Sequence, residues 1–577
     1  MKLFFVAVIL PFLIAIGSYA QTAPVTAITG ATLVNPNGKP PIADAVVLVQ
    51  NGRIIRIGTR QNVQIPKDAT IIDARGKWII PGLVDSHVHF FQSGGLYTRP
   101  DALDLRKIVS YEKEIESVKN NLNDTFARYL RSGVTSVVDV GGPFWNFEVR
   151  AFAEKTEIAP RVVVAGPLVS TYKPPVLSDT QDAPIIKANT PEEARELVRK
   201  QAEKKTDLIK IWFVVLPGET PEKHLPVIKA VMDESRRHNL RVAVHATQLE
   251  TARVAVREGA NILVHSVEDK EVDADFIRLL KEKNVLYTPT LTVYSGYSKT
   301  FTQQHDFTHT EFQIANPYVM STLFDLRHIP TENVPKRIKD AIENPRPIQP
   351  PAVAMKNLKI LQEAGVTVAA GTDAGNIGTL HGASIFRELK TMVDAGLTPA
   401  QVLTAATLNG AKLMGREKDL GIIEEGKLAD LVILNSDPLA NIQNTSDIHL
   451  VVKNGKAFQP NEVIKKTPQD IVQQQVNAYN ARDLEAFVAT YSPNIKLYTH
   501  PDTLRGSGHE EMRKQYGDLF KRIPKLHCEI VNRIVMGNFV IDQERVTGFP
   551  NNNVINAVAI YEVRDGLIQR VWFVPER

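Results

Sequence analysis

The chain has 577 residues, of which 43% are hydrophobic and 23% charged, and its formal net charge is +4. This composition is that of a folded protein with a large core, and the length predicts three or four domains. The charge is too small for this length to indicate nucleic acid or an anionic membrane surface as a partner. Cys528 is the single cysteine, so no intrachain disulfide can form, and we expect its thiol to fill core space.

The first 20 residues predict a secretory signal peptide. Lys2 is followed by an apolar run from Leu3 to Ile16, and small residues stand at Ser18 and Ala20. An uncleaved anchor is the alternative, but this run is short for a bilayer span. We therefore expect cleavage after Ala20, export to the periplasm or the medium, and no stable membrane insertion.

Strand patterns with tight turns flank a long middle section. Residues 21–80 contain several, with Asn51-Gly52 as a hairpin signal. Residues 413–460 have the same character and include a second Asn-Gly pair, Asn454-Gly455. Together the two flanks predict one small composite β-sandwich domain.

The middle section, residues 81–412, alternates strand and helix patterns. The eight candidate strands span residues 83–89, 134–140, 161–166, 208–213, 241–246, 261–265, 285–291 and 366–372. Alternation of this kind predicts an α/β fold, specifically a (β/α)8 TIM barrel, in which active sites lie at the C-terminal ends of the strands. Residues 296–350, between the last two strands, predict a lid or substrate wall. Its His305 and His309 could bind metal on one helical face, but solvated loop histidines are the favoured interpretation.

Side chains that bind metals or move protons stand at the ends of these strands. His87 and His89 are two residues apart at the end of the first strand, so both imidazoles point to the same side. Similar groups lie at or near the ends of four other strands, namely Lys210, His245, His265 and Asp373. Convergent imidazoles and carboxylates are typical of a transition-metal site.

From about residue 466 the pattern changes to helices followed by long alternating strands. An amphipathic helix is predicted over residues 470–486 and a second over residues 510–520. The strands are predicted at residues 525–535, 538–546, 554–563 and 568–574. Helices followed by an antiparallel meander predict an α+β cone-like domain over residues 466–577. Its cavity could be lined by Tyr479, Asp483 and His500.

Residues 25–458 resemble the amidohydrolase superfamily, and specifically its imidazolonepropionase-like and prolidase-like branch. The matching segments, in family order, are P-G-L-V-D-S-H-V-H, the K-I-W strand, His245, His265, G-T-D-A-G and the tail G-I-I-E-E-G-K-L-A-D-L-V-I-L. That family has a (β/α)8 barrel with a composite β-sandwich. Residues 466–577 are similar in pattern to the SnoaL-like, ketosteroid-isomerase-like domain.

The resemblance implies a binuclear metal site and a metal-dependent hydrolase of carbon–nitrogen bonds. The implied ligands are His87, His89, Lys210, His245, His265 and Asp373. The first two histidines and the aspartate would hold one divalent ion, the other two histidines would hold the second, and Lys210 would bridge them as a carbamate. Zinc is the default metal for such ligands, with manganese, iron and cobalt as alternatives. Asp373 would accept a proton from the metal-activated hydroxide and deliver it to the leaving nitrogen of an amide, peptide or lactam.

Recognition of the small-molecule substrate is less marked in the sequence. Prolidase-like relatives often carry Gly-Gly-His after the third strand, which this chain lacks. Tyr172 and Lys173, in the corresponding stretch, could bind a substrate carboxylate or belong to a solvated loop. His381, after the eighth strand, could contact substrate or a metal ligand, or be a solvated histidine at a helix start. Dipeptide specificity therefore stays open.

Two other functions compete with an exported binuclear amidohydrolase. A mononuclear deaminase or imidazolonepropionase-type ring hydrolase would share the histidines and Asp373 but lack a bridging lysine, so Lys210 argues against it. A non-catalytic ligand-binding protein is disfavoured because converging ionisable groups are costly to bury unless something pairs them. For the C-terminal domain, ligand binding and homo-oligomer formation are both open, and an assembly or accessory role is favoured.

Overall fold

The computed structural model describes residues 24–576, so the predicted signal peptide lies outside the described residues. Among residues 24–576, no helix combines the length and apolarity that a membrane crossing requires.

The strands of the described chain fall into four runs. The first run comprises Thr26–Leu33 (β1), Ile42–Gln50 (β2), Arg53–Thr59 (β3), Thr70–Asp73 (β4) and Trp78–Pro81 (β5). The second comprises Leu83–Val88 (β6), Val134–Asp139 (β7), Arg161–Val164 (β8), Leu168–Ser170 (β9), Ile185–Lys187 (β10), Leu208–Trp212 (β11), Arg241–His245 (β12), Ile262–Val264 (β13), Leu286–Thr288 (β14) and Thr367–Val368 (β15). The third comprises Leu431–Leu434 (β16), Ile448–Lys453 (β17) and Lys456–Phe458 (β18). The last comprises Tyr491–Thr499 (β19), Thr503–Ser507 (β20), His527–Met536 (β21), Phe539–Thr547 (β22), Ile555–Arg564 (β23) and Leu567–Pro575 (β24).

Helices lie mainly between the strands of the second run. Those up to the seventh predicted strand are Tyr111–Asn120 (α1), Leu122–Arg131 (α2), Asn146–Glu154 (α3), Pro191–Glu203 (α4), Leu225–Arg237 (α5), Leu249–Glu258 (α6) and Ala274–Glu282 (α7). Those that follow are Leu291–Thr302 (α8), His309–Ile314 (α9), Pro317–Thr322 (α10), Lys336–Glu343 (α11), Ala352–Glu363 (α12), Ser384–Asp394 (α13), Pro399–Thr404 (α14) and Gly410–Met414 (α15). The C-terminal part adds Pro460–Val463 (α16), Pro468–Ala481 (α17), Leu484–Val488 (α18) and Gly508–Arg522 (α19).

Strands from both flanks of the middle section share one eight-stranded sheet. Its order is β18-β17-β16-β5-β1-β2-β3, with β4 beside β1. The joint between the flanks is the antiparallel pair β5–β16, in which Ile79 faces Ile433 and both are fully buried. The strand β5 was not predicted, and the segment from Gly421 to β16 is mostly loop because Gly421 and Gly426 take the left-handed conformation. The limits 21–80 and 413–460 stay a prediction.

The middle section contains all eight predicted strands in two parallel sheets. One has the order β6-β7-β8 and the other the order β10-β9-β11-β12-β13-β14-β15, where β9 and β10 were not predicted. Backbone hydrogen bonds connect the first and eighth predicted strands, from His89 to Ala374 at 2.8 Å and from Asp373 to His87 at 2.7 Å. Several observed strands are shorter than predicted, because residues at the C-terminal ends of the predicted strands, such as His265 with a φ of 72°, leave the extended conformation.

The insertion over residues 296–350 is largely helical and contains most of α8 together with α9, α10 and α11. The prediction that His305 is a solvated loop histidine was wrong. Its Nε2 lies 3.1 Å from the Leu323 carbonyl, and its ring stacks on Phe307. Burial lowers the pKa of His305 to about 3. His309 is exposed at the start of α9, beside Gln313. The two histidines therefore have separate surroundings and do not form a metal site.

The C-terminal domain has a six-stranded sheet of order β20-β19-β24-β23-β22-β21. Only β19 and β24 pair in parallel, and both β19 and β20 were missed in the sequence. The helix predicted over residues 470–486 is two helices, since α17 ends where Arg482 takes a φ of 57°. Asp483 then caps α18 by accepting a hydrogen bond from Ala486 N at 2.9 Å. Of the three predicted cavity residues only Tyr479 lines a cavity, because His500 is exposed.

The C-terminal domain packs against the insertion. One hydrophobic cluster joins insertion residues such as Phe312 and Phe324 to Ile471 and Val472 of α17. Polar contacts fix the same interface: Gln474 Nε2 donates to the Phe312 carbonyl at 3.0 Å, and Asn477 Nδ2 donates to the Pro317 carbonyl at 2.7 Å. His328 and His527 stack, with Nδ1 of the first 2.9 Å from Nε2 of the second. This distance requires that one of the two rings donates and the other accepts.

Acid should weaken the packing around His527. Burial lowers the pKa of His527 to about 3, and His328 acts in the same direction. In the unfolded chain the pKa of a histidine is about 6.5. Between about pH 3 and about pH 6.5 the unfolded chain therefore binds more protons than the folded chain, so the free energy of unfolding falls as the pH drops below about 6.5. When the pH is lowered from about 7.5 to about 5, the apparent Tm of His527→Gln should therefore fall by less than that of the wild type. Differential scanning calorimetry measures both.

His500→Gln is the matched control for this prediction, since His500 is an exposed histidine of the same domain. Its apparent Tm should follow that of the wild type at both pH values. If the apparent Tm of His527→Gln falls as much between the two pH values as that of His500→Gln, the stacked pair does not contribute to the acid sensitivity.

Candidate metal centre

The predicted histidine and aspartate ligands converge in the structure. Asp373 Oδ1 lies 3.2 Å from Nε2 of both His87 and His89, and its Oδ2 lies 3.9 Å from Nδ1 of His265. The ring centroids of His245 and His265 are 4.4 Å apart. His87, His265 and Asp373 each offer one ligand atom, and these atoms lie within 4.8 Å of one another. Side chains from four separate strand ends thus form one cluster, called the metal cluster below.

Lys210 lies in β11, two residues before the end of the strand, and is 1% exposed. Burial lowers the pKa of its amine to about 7, although the nearby Asp373 and Asp139 favour the charged form. In register, Lys210 is opposite Ala243 of β12, the strand that ends at His245. The lysine therefore belongs to the same buried environment as the histidines and is partly neutral near pH 7.

The buried atoms of the metal cluster fit a divalent ion. Both ring nitrogens of His87 and Oδ1 of Asp373 have no hydrogen-bond partner of acceptable geometry among the described residues. Leaving a buried polar atom unpaired costs about 1–3 kcal/mol, so these atoms favour a partner that accepts lone pairs. Burial lowers the pKa of His87 and of His245 to about 3, which keeps both imidazoles neutral. Neutral imidazoles with a carboxylate are a donor set that zinc and related ions prefer.

Outer hydrogen bonds orient two of the histidines. Nδ1 of His89 lies 2.7 Å from the Gly141 carbonyl, so Nδ1 carries a proton and Nε2 faces the cluster. His265 Nδ1 is hydrogen-bonded to Thr290 Oγ1 at 2.7 Å. Partners of this kind hold the rings of metal-binding histidines in place and select the tautomer.

The backbone at this cluster is strained. His265, Asp373 and Thr290 take positive φ angles of 72°, 60° and 47°, a conformation that costs non-glycine residues about 1–3 kcal/mol each when enforced. Neighbouring strands hold two of them in place: His265 N donates to Thr288 O at 2.9 Å, and Asp373 N donates to His87 O at 2.7 Å. The strain lies at the points where the strand ends turn their side chains towards the cluster.

Gly371, in the G-T-D segment, permits the eighth strand to approach His87. A Cβ atom at this position would lie 2.6 Å from Thr288 Cγ2 and 2.9 Å from His87 N. Both distances are shorter than van der Waals contact allows, so any side chain here would push Asp373 away from the histidines.

Asp139 is a member of the site that was not singled out in the sequence. It ends β7 and is fully buried, and its carboxylate accepts hydrogen bonds from Phe90 N, Gly141 N and Asn146 Nδ2 at 3.3, 3.1 and 2.8 Å. Burial raises the pKa of Asp139 well above its usual range, against the effect of Lys210. Asp139 lies at the C-terminal end of a strand, as the predicted ligands do. The rule that identified those ligands would have identified Asp139 in V-T-S-V-V-D as well.

A second group of missed residues lies beside the cluster. Asn376 Oδ1 accepts hydrogen bonds from Arg99 Nη1 at 2.5 Å and from the Tyr297 hydroxyl at 2.8 Å. Arg99 also makes a bidentate pair with Asp101 at 2.8 and 2.6 Å. The charge of Arg99 interacts with that of Asp373, so the guanidinium belongs to the electrostatic surroundings of the site. No local pattern marks these residues, since they come from three distant segments.

The three predicted substrate contacts have different outcomes. The ring of Tyr172 lies 5.9 Å from that of Trp212, and the ring of Trp212 lies 6.0 Å from that of His245, so Tyr172 contacts a neighbour of the cluster. Lys173 does not reach it: the side chain is exposed and pairs with Asp179 at 2.8 Å. The amine therefore forms an ion pair at the surface with a carboxylate six residues further along the chain.

His381 is buried rather than solvated, and both of its ring nitrogens are occupied within the protein. Nδ1 lies 2.8 Å from the Tyr129 hydroxyl and Nε2 lies 2.8 Å from the Gln92 carbonyl. The ring stacks on Phe90, which is next to His89 in the chain. His381 therefore lies behind His89 in the structure, and neither of its ring nitrogens is left for substrate.

Several known proteins are similar to most of this chain. An imidazolonepropionase of Brevibacillus brevis is 23% identical over 452 residues, which are 72% of this chain and 90% of that protein. A 5'-deoxyadenosine deaminase of Methanothermobacter thermautotrophicus is 24% identical over 428 residues, 71% of this chain and 84% of that protein. The solved structure of a Xaa-Pro dipeptidase is similar with a TM-score of 0.56 and 21% identity, covering 75% of this chain and all of that one.

Two family descriptions match consecutive parts of the sequence. The amidohydrolase family matches residues 78–458, and the SnoaL-like domain matches residues 472–571. The first match covers more than half of the chain and contains every residue of the metal cluster. The chain is thus an enzyme of the amidohydrolase family, a hydrolase that carries a SnoaL-like domain at its C-terminal end.

Proposed function

We propose that this protein is a binuclear metal-dependent hydrolase that cleaves a carbon–nitrogen bond in a small molecule. The observation that carries the proposal is the convergence of four histidines, Asp373 and a buried lysine, with several donor atoms left unpaired. The parallel strands that present these groups form a closed (β/α)8 barrel in this proposal, supported by the hydrogen bonds between β6 and the segment after β15. The predicted signal peptide supports export of the enzyme.

The ligands divide into two sets. His87, His89 and Asp373 would hold one divalent ion, while His245 and His265 would hold the other. Lys210 would bridge the two ions as a carbamate. Its neutral amine attacks carbon dioxide, an N–C bond forms, and the released proton leaves to solvent. The pKa of about 7 supports this step, because a useful fraction of the amine is neutral at pH 7.

Asp373 is the proposed proton carrier. Divalent ions in such a site lower the pKa of water and polarise a carbonyl oxygen. Burial favours the neutral acid, but His87 and the other nearby histidines hold the pKa of Asp373 well below its usual range, so the carboxylate is ionised. It can therefore accept the proton of the attacking water and donate it to the leaving nitrogen. The hydrogen bond from Asp373 N to the His87 carbonyl keeps the carboxylate in position for both steps.

A mononuclear deaminase or imidazolonepropionase-type ring hydrolase is the second candidate. The deaminase and imidazolonepropionase relatives favour it, since their names describe such reactions. The burial of Lys210 favours the binuclear enzyme, because a buried amine without a role near metal ions would be unfavourable. The number of bound ions separates the two candidates.

Two divalent ions per chain should be present in the purified protein, measured by elemental analysis. Lys210→Ala should retain at most one, because this change removes the ligand that both ions share. Lys210→Glu should retain more metal than Lys210→Ala, since a carboxylate restores an anionic oxygen.

Lys427→Ala is the matched control. Lys427 is also buried, but its amine donates to the backbone carbonyl of Glu417, so metal content should not change. One ion in the wild type, unaffected by Lys210→Ala, would favour the deaminase.

Asp373→Asn should lower kcat by about 10²–10⁴-fold, the usual contribution of a general acid–base group. Asparagine keeps the shape of the side chain but cannot accept a proton. The loss should appear in kcat more than in KM, because the proton transfer occurs on the way to the transition state. Steady-state kinetics would use the best substrate from a screen of dipeptides, N-acyl amino acids, lactams and esters.

Asp430→Asn is the control for this substitution. Asp430 is equally buried but pairs with Arg161 at 3.0 Å, at the opposite ends of the strands. Its replacement should keep kcat within about threefold of the wild type. If Asp373→Asn also stays within about tenfold while both ions remain bound, another group is the base, and His265 would be tested next.

A further inference from the structure

The helix α8 begins directly beside the metal cluster, at Thr290. This residue is the N-cap of the helix and takes the left-handed conformation, with φ 47° and ψ 51°. A threonine at an N-cap usually accepts a hydrogen bond from a backbone N–H group of the first turn. In the described chain Thr290 makes no such bond, and its Oγ1 instead lies 2.7 Å from Nδ1 of His265. The hydroxyl group that would cap the helix is therefore used to hold a ring of the metal cluster.

Glu388 of α13 supplies the missing cap. Its Oε1 accepts a hydrogen bond from Leu291 N at 3.0 Å. Its Oε2 accepts two more, from Thr292 N at 2.8 Å and from the Thr292 hydroxyl at 2.6 Å. Leu291 and Thr292 are the first two residues of α8, and N–H groups at the start of a helix have no partner within it. A carboxylate from a distant helix thus binds the backbone that directly follows Thr290.

The contact between Glu388 and α8 is buried. Glu388 is 0% exposed, and Thr290, Leu291 and Thr292 are each at most 3% exposed. A buried carboxylate is unfavourable unless both of its oxygens are paired, and here three donors pair them. The N-terminal end of a helix also carries a partial positive charge, which favours the ionised carboxylate. The carboxylate and the first turn of α8 therefore stabilise each other.

The backbone at Thr290 depends on support from both sides. A left-handed conformation is unfavourable for a β-branched residue and persists only where its neighbours enforce it. Thr288 anchors the segment on one side, since its carbonyl accepts a hydrogen bond from His265 N at 2.9 Å. Glu388 anchors it on the other side through Leu291. The direction of the Thr290 hydroxyl, and with it the orientation of the His265 ring, follows from these two anchors.

We propose that Glu388 is a positioning residue for the second metal ion, the one that His245 and His265 would hold. It acts on the His265 ring through the first turn of α8 and the Thr290 hydroxyl, without binding the ion itself. Partners behind metal-binding histidines fix the ring and its tautomer, and their loss typically costs about 10–100-fold in metal affinity. This role presupposes the binuclear site of the proposed function, because it concerns the second ion.

The test is metal retention by the metal-loaded protein. Samples are equilibrated with increasing concentrations of EDTA at about pH 8, and the ions that remain bound are counted by elemental analysis. Burial raises the pKa of Glu388 to about 7, so its carboxyl group is mostly ionised under these conditions. Glu388→Gln keeps the shape of the side chain but replaces one acceptor oxygen by an NH2 group, which cannot pair with a backbone N–H. It should lose one of the two ions at an EDTA concentration about 10–100-fold lower than the wild type does.

Glu234→Gln is the matched control. Glu234 is also buried, at 4% exposed, but it lies near the C-terminal end of α5, where its carboxylate pairs with Arg237 at 2.9 Å. The EDTA concentration at which this variant loses an ion should stay within about twofold of that for the wild type. The comparison separates the local role of Glu388 from the general effect of replacing a buried carboxylate.

Thr290→Val tests the route from Glu388 to His265. Valine keeps the β-branched shape and removes the hydroxyl, so metal retention should fall by about 10–100-fold. Once the hydroxyl is gone, Glu388 has nothing left to direct towards the ring. The double variant Glu388→Gln/Thr290→Val should therefore lose an ion at the same EDTA concentration as Thr290→Val alone, within about twofold.

The proposal is overturned if Glu388→Gln retains both ions as firmly as Glu234→Gln does, even if its apparent Tm falls. It is also overturned if the losses of the two single variants multiply in the double variant, because Glu388 would then act without the Thr290 hydroxyl. A wild type with fewer than two ions would overturn the binuclear site and this role together. Two ions bound equally firmly in the wild type and in Glu388→Gln would overturn the role of Glu388 alone.

Thr292→Val decides if Glu388→Gln does not fold by circular dichroism. It keeps the shape of the side chain and removes one of the three donors to the carboxylate. Metal retention should then fall by about threefold. Unchanged retention in Thr292→Val would overturn the proposal.

Discussion

Five buried titratable side chains and the partly buried His245 lie together at or near the ends of parallel strands, and the rest of the structure must keep these six charges and contacts compatible. Burial keeps His87 and His245 neutral and shifts Lys210 towards its neutral form, while close polar contacts with His87 and His89 hold the pKa of Asp373 well below its usual range. Such a cluster is stable only if its donor atoms find a partner and its backbone is held rigidly. Two local features follow from the need for a rigid backbone. Residues at the strand ends take left-handed conformations, and Gly371 permits a close approach of the eighth strand to His87.

The insertion after β14 contacts both the surroundings of the metal cluster and the C-terminal domain. At one end Tyr297 of α8 donates to Asn376, beside the metal cluster. Further along, Phe312 and Phe324 pack against α17 of the C-terminal domain. A segment that contacts both regions can keep the domains in a fixed relation, because its apolar side chains lose burial if either contact opens. The SnoaL-like domain is therefore an integrated part of the molecule, although its cavity is separate from the metal cluster.

Local rules were sufficient for much of the candidate site. Strand periodicity placed His87 and His89 on one side, and the rule that sites lie at C-terminal strand ends selected His245, His265 and Asp373. The same rule would have selected Asp139, which was overlooked. Arg99 could not be found in this way, because its partner Asn376 lies 277 residues away in sequence. Lys173 and His381 carried suitable chemistry, yet their partners in space direct one to the surface and occupy both nitrogens of the other.

The sequence by itself determined the alternation of strands and helices, the residues at the strand ends and the change of pattern near residue 466. These features depend on periodicity and on neighbours within a few residues, and both can be observed in the sequence alone. Only the tertiary structure decided the helical insertion, the partial burial of His305, the pairing of β5 with β16 and the cavity around Glu544. Burial and hydrogen-bond partners arise from contacts between residues far apart in the chain, and those contacts exist only after the elements have packed.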